Sequence, residues 1–264
     1  MPAAIDQTHA AVDDAAMGSV LAAKQHLRSV MKTRLSSLSH DAITSQSRAV
    51  FETLKTFKPY QDAQRISVFL SMPSGEIQTD AIVRHALAAG KQVYVPFLHK
   101  SPFPPGEAPA RVMDMVRLRD LQDYESLGRD KWGIPSIDAA TVSERHRILG
   151  GEADEATPLD ASLDMILVPG VAFDIDPQTG LLRRLGHGKG FYDLFIRRLS
   201  GRTSSINHEG TRPTLLCGLA LSEQFLPQDS DTPVPVAPHD KVLDGVVLGD
   251  GEIRRSSDGA RLDT

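Results

Sequence analysis

LDMILVPGVAFDIDPQTGLLRRLGHGKGFYDLFIRRL, residues 163–199, opens as a strand and closes as a helix. LDMILVPG (163–170) is an apolar run of strand length that ends on Pro169 and Gly170. From about Gly188 onward, Phe191, Leu194, Phe195 and Leu199 fall at helical spacing. Between the two, RRLGHGKGFYD (183–193) alternates Gly186, Gly188 and Gly190 with His187 and Lys189. A loop that runs into a helix N-terminus presents unpaired backbone N–H groups and the positive end of the helix dipole, which together favour an anion. Glycine lets the backbone approach phosphate oxygens closely. Arg184 and Lys189 add positive charge.

Two common phosphate-loop patterns fail on counting. A Walker A loop needs Gly-x-x-x-x-Gly-Lys-Ser/Thr. Here Gly188–Lys189 is followed by Gly190, and the upstream glycine position holds Arg183. A dinucleotide fingerprint needs Gly-x-Gly-x-x-Gly after the first strand. With Gly186 and Gly188 as its first two glycines, the third falls on Phe191, and the loop comes late in the chain. A glycine-rich turn with solvated charges is the plain alternative. Asp193, in the first turn of the helix, either complements the dipole, worth about 0.3–1 kcal/mol, or holds Mg²⁺ beside a bound nucleotide.

The same alternation of strand and helix extends outward. RISVFLS (65–71) is mostly apolar, as in a strand buried on both faces. IQTDAIVRHALAAGK (77–91) fits a helix closed by Gly90. QVYVPF (92–97), VMDMVRL (112–118), TLLCGLAL (214–221) and LDGVVL (243–248) read as further strands. Two amphipathic helices precede them. Residues 19–38 carry Leu27, Met31, Leu35 and Leu38 on one line, with Ser19 as a cap and Lys24, Arg28 and Lys32 as a basic stripe. Residues 40–57 carry Val50, Leu54 and Phe57, with Ser39 as a cap. Helices between strands predict a three-layer α/β/α domain with a mostly parallel, Rossmann-like open sheet. That domain covers residues 19–250. SPFPPGEAPA (101–110) reads as a Pro-rich surface loop, and residues 138–162 and 200–213 as polar insertions. Residues 1–18 are expected to be a disordered N-terminal tail, and 251–264 a C-terminal tail.

The 264 residues are 41% hydrophobic and 24% charged, the composition of an ordinary globular domain. The net charge of −5 argues against a generic nucleic-acid binder but leaves room for a local basic pocket. The single cysteine, Cys217, allows no disulfide within the chain and sits in an apolar strand, where it reads as a buried side chain. No apolar run approaches the ~20 residues of a membrane span. The first residues lack a secretory core, and Asp6, Asp13 and Asp14 without an arginine count against a mitochondrial presequence. These features point to a cytoplasmic protein. No exposed apolar stripe stands out, so a monomer is expected.

Four separated segments, in order, make the chain resemble the 5-formyltetrahydrofolate cyclo-ligase (5,10-methenyltetrahydrofolate synthetase) family. They are KQHLR (24–28), FLSMPSGEIQT (69–79), MDMVR (113–117) with KWGIPSI (131–137), and LDMILVPGVAFD (163–174) leading to RLGHGKGFYD (184–193). PVAPHDKVLDGVV (235–247) is a fifth, weaker segment. The resemblance spans about residues 20–250. It implies that the formyl oxygen of 5-formyltetrahydrofolate takes the γ-phosphate of ATP. N10 then closes the ring to 5,10-methenyltetrahydrofolate, with ADP and phosphate released. Such chemistry asks for positioning and charge neutralisation rather than a protein nucleophile.

By the same resemblance, Lys24, Gln25, His26, Leu27 and Arg28 form the first ATP contact. Arg184, Leu185, Gly186, His187, Gly188, Lys189, Gly190, Phe191 and Tyr192 form the main nucleotide loop, with Lys189 and Arg184 stabilising the transferring phosphoryl group. Asp193 and Asp240 correspond to Mg²⁺ ligands. Met72, Glu76 and Trp132 correspond to folate-pocket residues, joined by loop residues 187–191. Without the resemblance, Lys24 and Arg28 read as a solvated stripe, Met72 and Trp132 as core, Glu76 as an exposed acid and Asp240 as a loop acid. The chain departs from the family pattern at Phe191, usually Tyr, at Ser136, usually an acid or amide, in the length of DIDPQTGLLRR (174–184), and in the two insertions. Two other readings stand beside it. One is a non-catalytic folate- or RNA-associated relative on the same fold. The other is a different ATP-using or sugar-phosphate enzyme on a similar sheet.

Overall fold

The computed structural model describes residues 5–104, 106, 108–149, 162–205 and 213–258. The chain begins with α1 (Ile5–Ser36), α2 (His40–Thr56) and α3 (Lys58–Asp62). Helix α1 starts at Ile5 rather than at Ser19, so residues 5–18 are helical and not the expected disordered tail. The alanine-rich composition of that stretch carries high helix propensity. Ser39 caps α2 as expected, its side chain accepting the Ala42 amide at 3.1 Å. Residues Ile43, Ser47, Val50 and Leu54 form the buried line of α2.

The strands then follow: β1 (Arg65–Val68), β2 (Gln92–Lys100), β3 (Arg111–Arg117), β4 (Gly128–Arg129), β5 (Pro135–Ser136), β6 (Met165–Val168), β7 (Ala172–Ile175), β8 (Leu182–Leu185), β9 (Leu215–Ala220), β10 (Gly245–Leu248) and β11 (Ile253–Arg255). Helix α4 (Asp80–Ala88) links β1 to β2, α5 (Leu121–Glu125) follows β3, and α6 (Phe191–Ser205) follows β8. Among the described residues, the main sheet has seven strands in the order β11-β10-β9-β6-β1-β2-β3. Its centre is parallel, with Ile66 opposite Met165 and Val168 opposite Gly218. Strands β3 and β11 are antiparallel edges. Only residues 101–110 separate β2 from β3, fewer than the crossover that a parallel return needs.

Alternation along the strands assigns the two faces. Met165 and Leu167 join Ile66, Val68, Cys217 and Leu219 on the side covered by α2, α3 and α4. Ile166 and Val168 join Tyr94, Met115 and Val246 on the side covered by Phe195, Ile196 and Leu199 of α6. The result is the three-layer α/β arrangement expected. Cys217 is fully buried, and burial pushes its thiol up to about 12, so it is an inert core side chain.

Four expectations are corrected. DIDPQTGLLRR is not a long turn but most of a β7–β8 hairpin, with Asp174 opposite Arg183 and Phe173 opposite Arg184. Arg183 clamps Asp174 through two bonds of 2.7 and 2.6 Å, and Asp176 through a third of 2.7 Å. Part of the 138–162 insertion belongs to the core, since Val142 and Ile148 are buried. Residues 150–161 lie outside the described residues. Helix α6 runs to Ser205 and so takes up the start of the expected 200–213 insertion, of which 206–212 lie outside the described residues. The expected C-terminal tail supplies the edge strand β11.

Phe173 fixes the hairpin on the sheet. Its ring is fully buried, and a Cβ on Gly170 or Gly218 would come within 2.4 or 2.8 Å of it. The two glycines therefore form the socket into which the ring fits. Replacing Phe173 by Ala is expected to lower unfolding free energy by about 3–5 kcal/mol, read from the urea midpoint. A loss below about 1 kcal/mol would show that the ring is not the anchor.

Candidate active site

The candidate residues gather beyond the carboxyl ends of β1 and β6, where open α/β sheets place their ligands. Strand β8 ends at Leu185, and residues 186–190 then form the glycine loop ahead of α6. Gly188 has φ +95° and Gly190 φ +65°, conformations that glycine adopts without strain. The side chain of Arg28 crosses the loop. Its Nε donates to the carbonyl oxygen of Gly186 at 2.8 Å, and a Cβ on Gly188 would lie 3.3 Å from its guanidinium carbon. Helix α1 is set there by Leu27 and Met31, which are buried against Val171, Ala172, Leu185, Leu226 and Val234. That docking presents Lys24 and Arg28 to the loop. Gln25 and His26 stay exposed on the flank of the helix, and Leu27 serves the core.

Two ion pairs tie the site together. Lys24 pairs with Asp240, whose Oδ2 also accepts the Ala237 amide at 2.7 Å. Arg184 Nη2 donates to both oxygens of Asp193, at 2.9 and 3.0 Å, while its Nη1 donates to the Pro169 carbonyl at 3.1 Å. Asp193 Oδ1 accepts the Lys241 amide at 3.1 Å, which brings the 237–241 segment against α6. Arg184 is therefore held behind the loop rather than open to solvent, with its side chain 3% exposed. Lys189 is exposed, and among the described residues it forms no ion pair. Lys241 was not singled out from sequence. It contributes through its backbone amide, which side-chain chemistry does not reveal.

The second half of the site lies beyond β1. Glu76 is buried, and its Oε1 accepts the Met72 amide at 2.6 Å. Gln78 Nε2 closes the same loop by donating to the carbonyls of Met72 and Glu76, each at 3.0 Å. The turn 130–133 leans on this loop, since a Cβ on Gly133 would come 2.9 Å from Pro73 Cγ. The FLSMPSGEIQT and KWGIP segments are thus brought together. Trp132 itself is not a core side chain. It is 64% exposed, with the Lys131 ammonium 4.9 Å from its ring centroid. Tyr192 joins the two halves. Among the described residues its buried hydroxyl has no hydrogen-bond partner, the Arg184 guanidinium lies 5.8 Å from its ring centroid, and the phenol feels the charge of Glu76.

The model of the 5-formyltetrahydrofolate cyclo-ligase family matches residues 20–249. The chain belongs to this family. A probable 5-formyltetrahydrofolate cyclo-ligase of Caenorhabditis elegans is 34% identical over 231 residues, 88% of this chain and 95% of that protein. The 5-formyltetrahydrofolate cyclo-ligase of Mus musculus is 31% identical over 232 residues, covering 88% and 96%. Among solved structures, the 5,10-methenyltetrahydrofolate synthetase of Aquifex aeolicus is similar with a TM-score of 0.53 and 26% identity, covering 89% of this chain and 94% of that one. Cyclo-ligase family membership makes the chain an enzyme of the ligase class. Among the described residues, no helix is long and apolar enough to cross a membrane.

The electrostatics suit an anionic ligand on the cyclo-ligase loop. Desolvation lowers the Arg28 pKa, opposed by the charge of Asp240. Desolvation also depresses the His187 imidazole, with the charges of Arg184 and Arg28 adding to the effect. Burial pushes the Tyr192 phenol far up, so it stays protonated. Burial raises Glu76 from 4.5 to about 7, the Met72 amide pulling the other way. Among the described residues, no group of three or more His, Cys, Asp or Glu side chains is arranged to hold a metal. Asp193 and Asp240 offer two carboxylates, the set Mg²⁺ takes when phosphate oxygens and water complete its shell. The donors fit a metal that arrives with a nucleotide.

Two outcomes follow from this geometry. The folded chain holds the Glu76 proton more tightly than the unfolded chain, so stability falls as pH rises from about 4.5 to about 7. Relative to Glu76→Gln, the unmodified protein should lose up to roughly 3 kcal/mol across that window. Urea midpoints at pH 5 and pH 8 read the difference, and parallel pH profiles would contradict it. Gly188→Ala combines a strained positive φ with a tight 3.3 Å approach to the Arg28 guanidinium. It should weaken nucleotide binding about tenfold or more while shifting the melting temperature little. Unchanged affinity in titration calorimetry would count against the loop geometry.

Proposed function

We propose that this chain closes 5-formyltetrahydrofolate to 5,10-methenyltetrahydrofolate at the expense of ATP, acting as a monomer in the cytoplasm, with residues 19–250 as the active unit. The observation that carries this reading is the convergence of Lys24, Arg28 and the glycine loop with the Glu76 loop at the carboxyl end of the central strands, in a chain of this family. The formyl oxygen of the substrate attacks the γ-phosphorus and ADP leaves. N10 then attacks the activated carbon, phosphate departs with the former formyl oxygen, and N10 gives up its proton. Both steps need alignment and neutralised charge, and no protein nucleophile.

The backbone amides of 186–190, the helix dipole of α6 and Lys24 hold the triphosphate. Lys189, exposed on the loop, meets the charge on the transferring phosphoryl group. Asp193 and Asp240 would hold Mg²⁺, which when bound neutralises charge on the phosphate oxygens. Before ligands bind, Arg184 sets the position of Asp193. Glu76, with a pKa near neutral, offers a hydrogen-bonding carboxyl to the pterin ring. Met72 and the turn carrying Trp132 supply apolar walls, and Tyr192 closes the floor between the two ligands.

Purified protein with ATP, Mg²⁺ and 5-formyltetrahydrofolate should produce the near-UV absorbance of the methenyl product. ATP should be consumed only when the folate is present. Folate binding without turnover would favour the non-catalytic reading, and turnover of ATP on another acceptor would favour a different ATP-using enzyme. Lys189→Ala should lower kcat by about a hundredfold or more with little change in folding. An unchanged kcat would remove Lys189 from the reaction.

A further inference from the structure

The two ion pairs stand where the reading above places phosphate and metal, and their partners are crossed. Lys24, assigned to phosphate, holds Asp240, assigned to the metal. Arg184, beside the loop, holds Asp193, the other metal candidate. None of the four side chains is more than 16% exposed. The carboxylates have other tethers that would survive an exchange, the Ala237 amide on Asp240 and the Lys241 amide on Asp193. Arg28 faces the same cluster and is fixed to Gly186 independently, and His239 reaches Asp240 at 3.8 Å.

We propose that Lys24–Asp240 and Arg184–Asp193 are placeholder pairs, exchanged together when nucleotide and divalent cation bind. Lys24 and Arg184 turn from carboxylate to phosphate oxygens as Asp240 and Asp193 turn to the cation. The inference rests on the nucleotide reading of this site. Its physical basis is the cost of buried charge. ATP alone would strand two partly buried carboxylates beside a polyanion, and a metal ion alone would strand Lys24 and Arg184 beside a dication. An unpaired buried charge is strongly unfavourable, so each half-step is resisted. Arriving together, the ligands leave every charge with a partner. The coupling therefore exceeds the attraction that ATP and metal have for each other in free solution. Lys24, Arg28 and Arg184 against Asp193 and Asp240 leave one net positive charge, which still attracts the nucleotide before exchange.

Opposite variants of one pair test this on the full chain, by binding rather than turnover. The unmodified protein is first titrated with ATP and Mg²⁺ by calorimetry, and absence of binding there would overturn the nucleotide reading itself. Asp240→Asn keeps an oxygen for the Ala237 amide and removes the charge that holds Lys24. It should bind ATP in the presence of EDTA about tenfold or more tightly than the unmodified protein. Lys24→Met releases Asp240 and should bind nucleotide-free Mn²⁺, counted by electron paramagnetic resonance, about tenfold more tightly. A folded variant of either kind with unchanged or weaker binding of its ligand would show that the pairs are permanent struts and overturn the proposal. The two substitutions act on different partners, so either one decides if the other does not fold.

Discussion

The hydrogen bond from Arg28 Nε to the carbonyl oxygen of Gly186 joins the first helix to a loop 158 residues further on. The rest of the site depends on that junction. The bond is small beside the packing that sets it, for Leu27 and Met31 must first seat α1 on the β7–β8 hairpin. Phe173 must in turn seat the hairpin in the Gly170 and Gly218 socket. Each step hands its position to the next. A core ring fixes the hairpin, the hairpin fixes the start of the glycine loop, and α1 covers the loop with Arg28. The left-handed glycines then shape the loop ahead of α6, a helix N-terminus of the kind that favours an anion.

Charge completes what packing begins. Three cations and two carboxylates share a partly buried region, and each carboxylate is taken by one cation. Such pairs are poor sources of stability compared with apolar groups of the same volume. Their value lies in keeping the region close to neutral until ligands replace the internal partners. Beyond β1 the balance differs, because burial dominates at Glu76 and holds its proton to near neutrality. The proposed function uses that contrast, with a highly charged ligand on one side and a flat, mostly neutral ring on the other.

Much of the fold was legible because its signals are local. The apolar runs at 65–71, 92–97, 112–118, 163–170, 214–221 and 243–248 each became a strand of the sheet, and Gly90 closed α4 with φ +76°. The hairpin was not legible. Its strands are four residues each, the buried Asp174–Arg183 pair breaks their apolar pattern, and its turn looks like an ordinary loop. The antiparallel turn at β3 depends on the shortness of the link between strands rather than on the strand itself. The candidate site was legible as separate segments, through residue types suited to phosphate. Which cation meets which carboxylate was not legible, because Lys24 and Asp240 are 216 residues apart and only the folded sheet brings them together. For the same reason the sequence did not distinguish Arg184, buried and paired, from Lys189, exposed.

The central claim is that these remote segments form one nucleotide site with its metal between Asp193 and Asp240. A crystal structure with a non-hydrolysable ATP analogue and Mn²⁺, located by anomalous scattering, tests it most directly. The account predicts triphosphate oxygens on the amides of residues 186–190 and Mn²⁺ within bonding distance of Asp193 or Asp240. A nucleotide bound away from this loop, with the manganese on other residues, would contradict it.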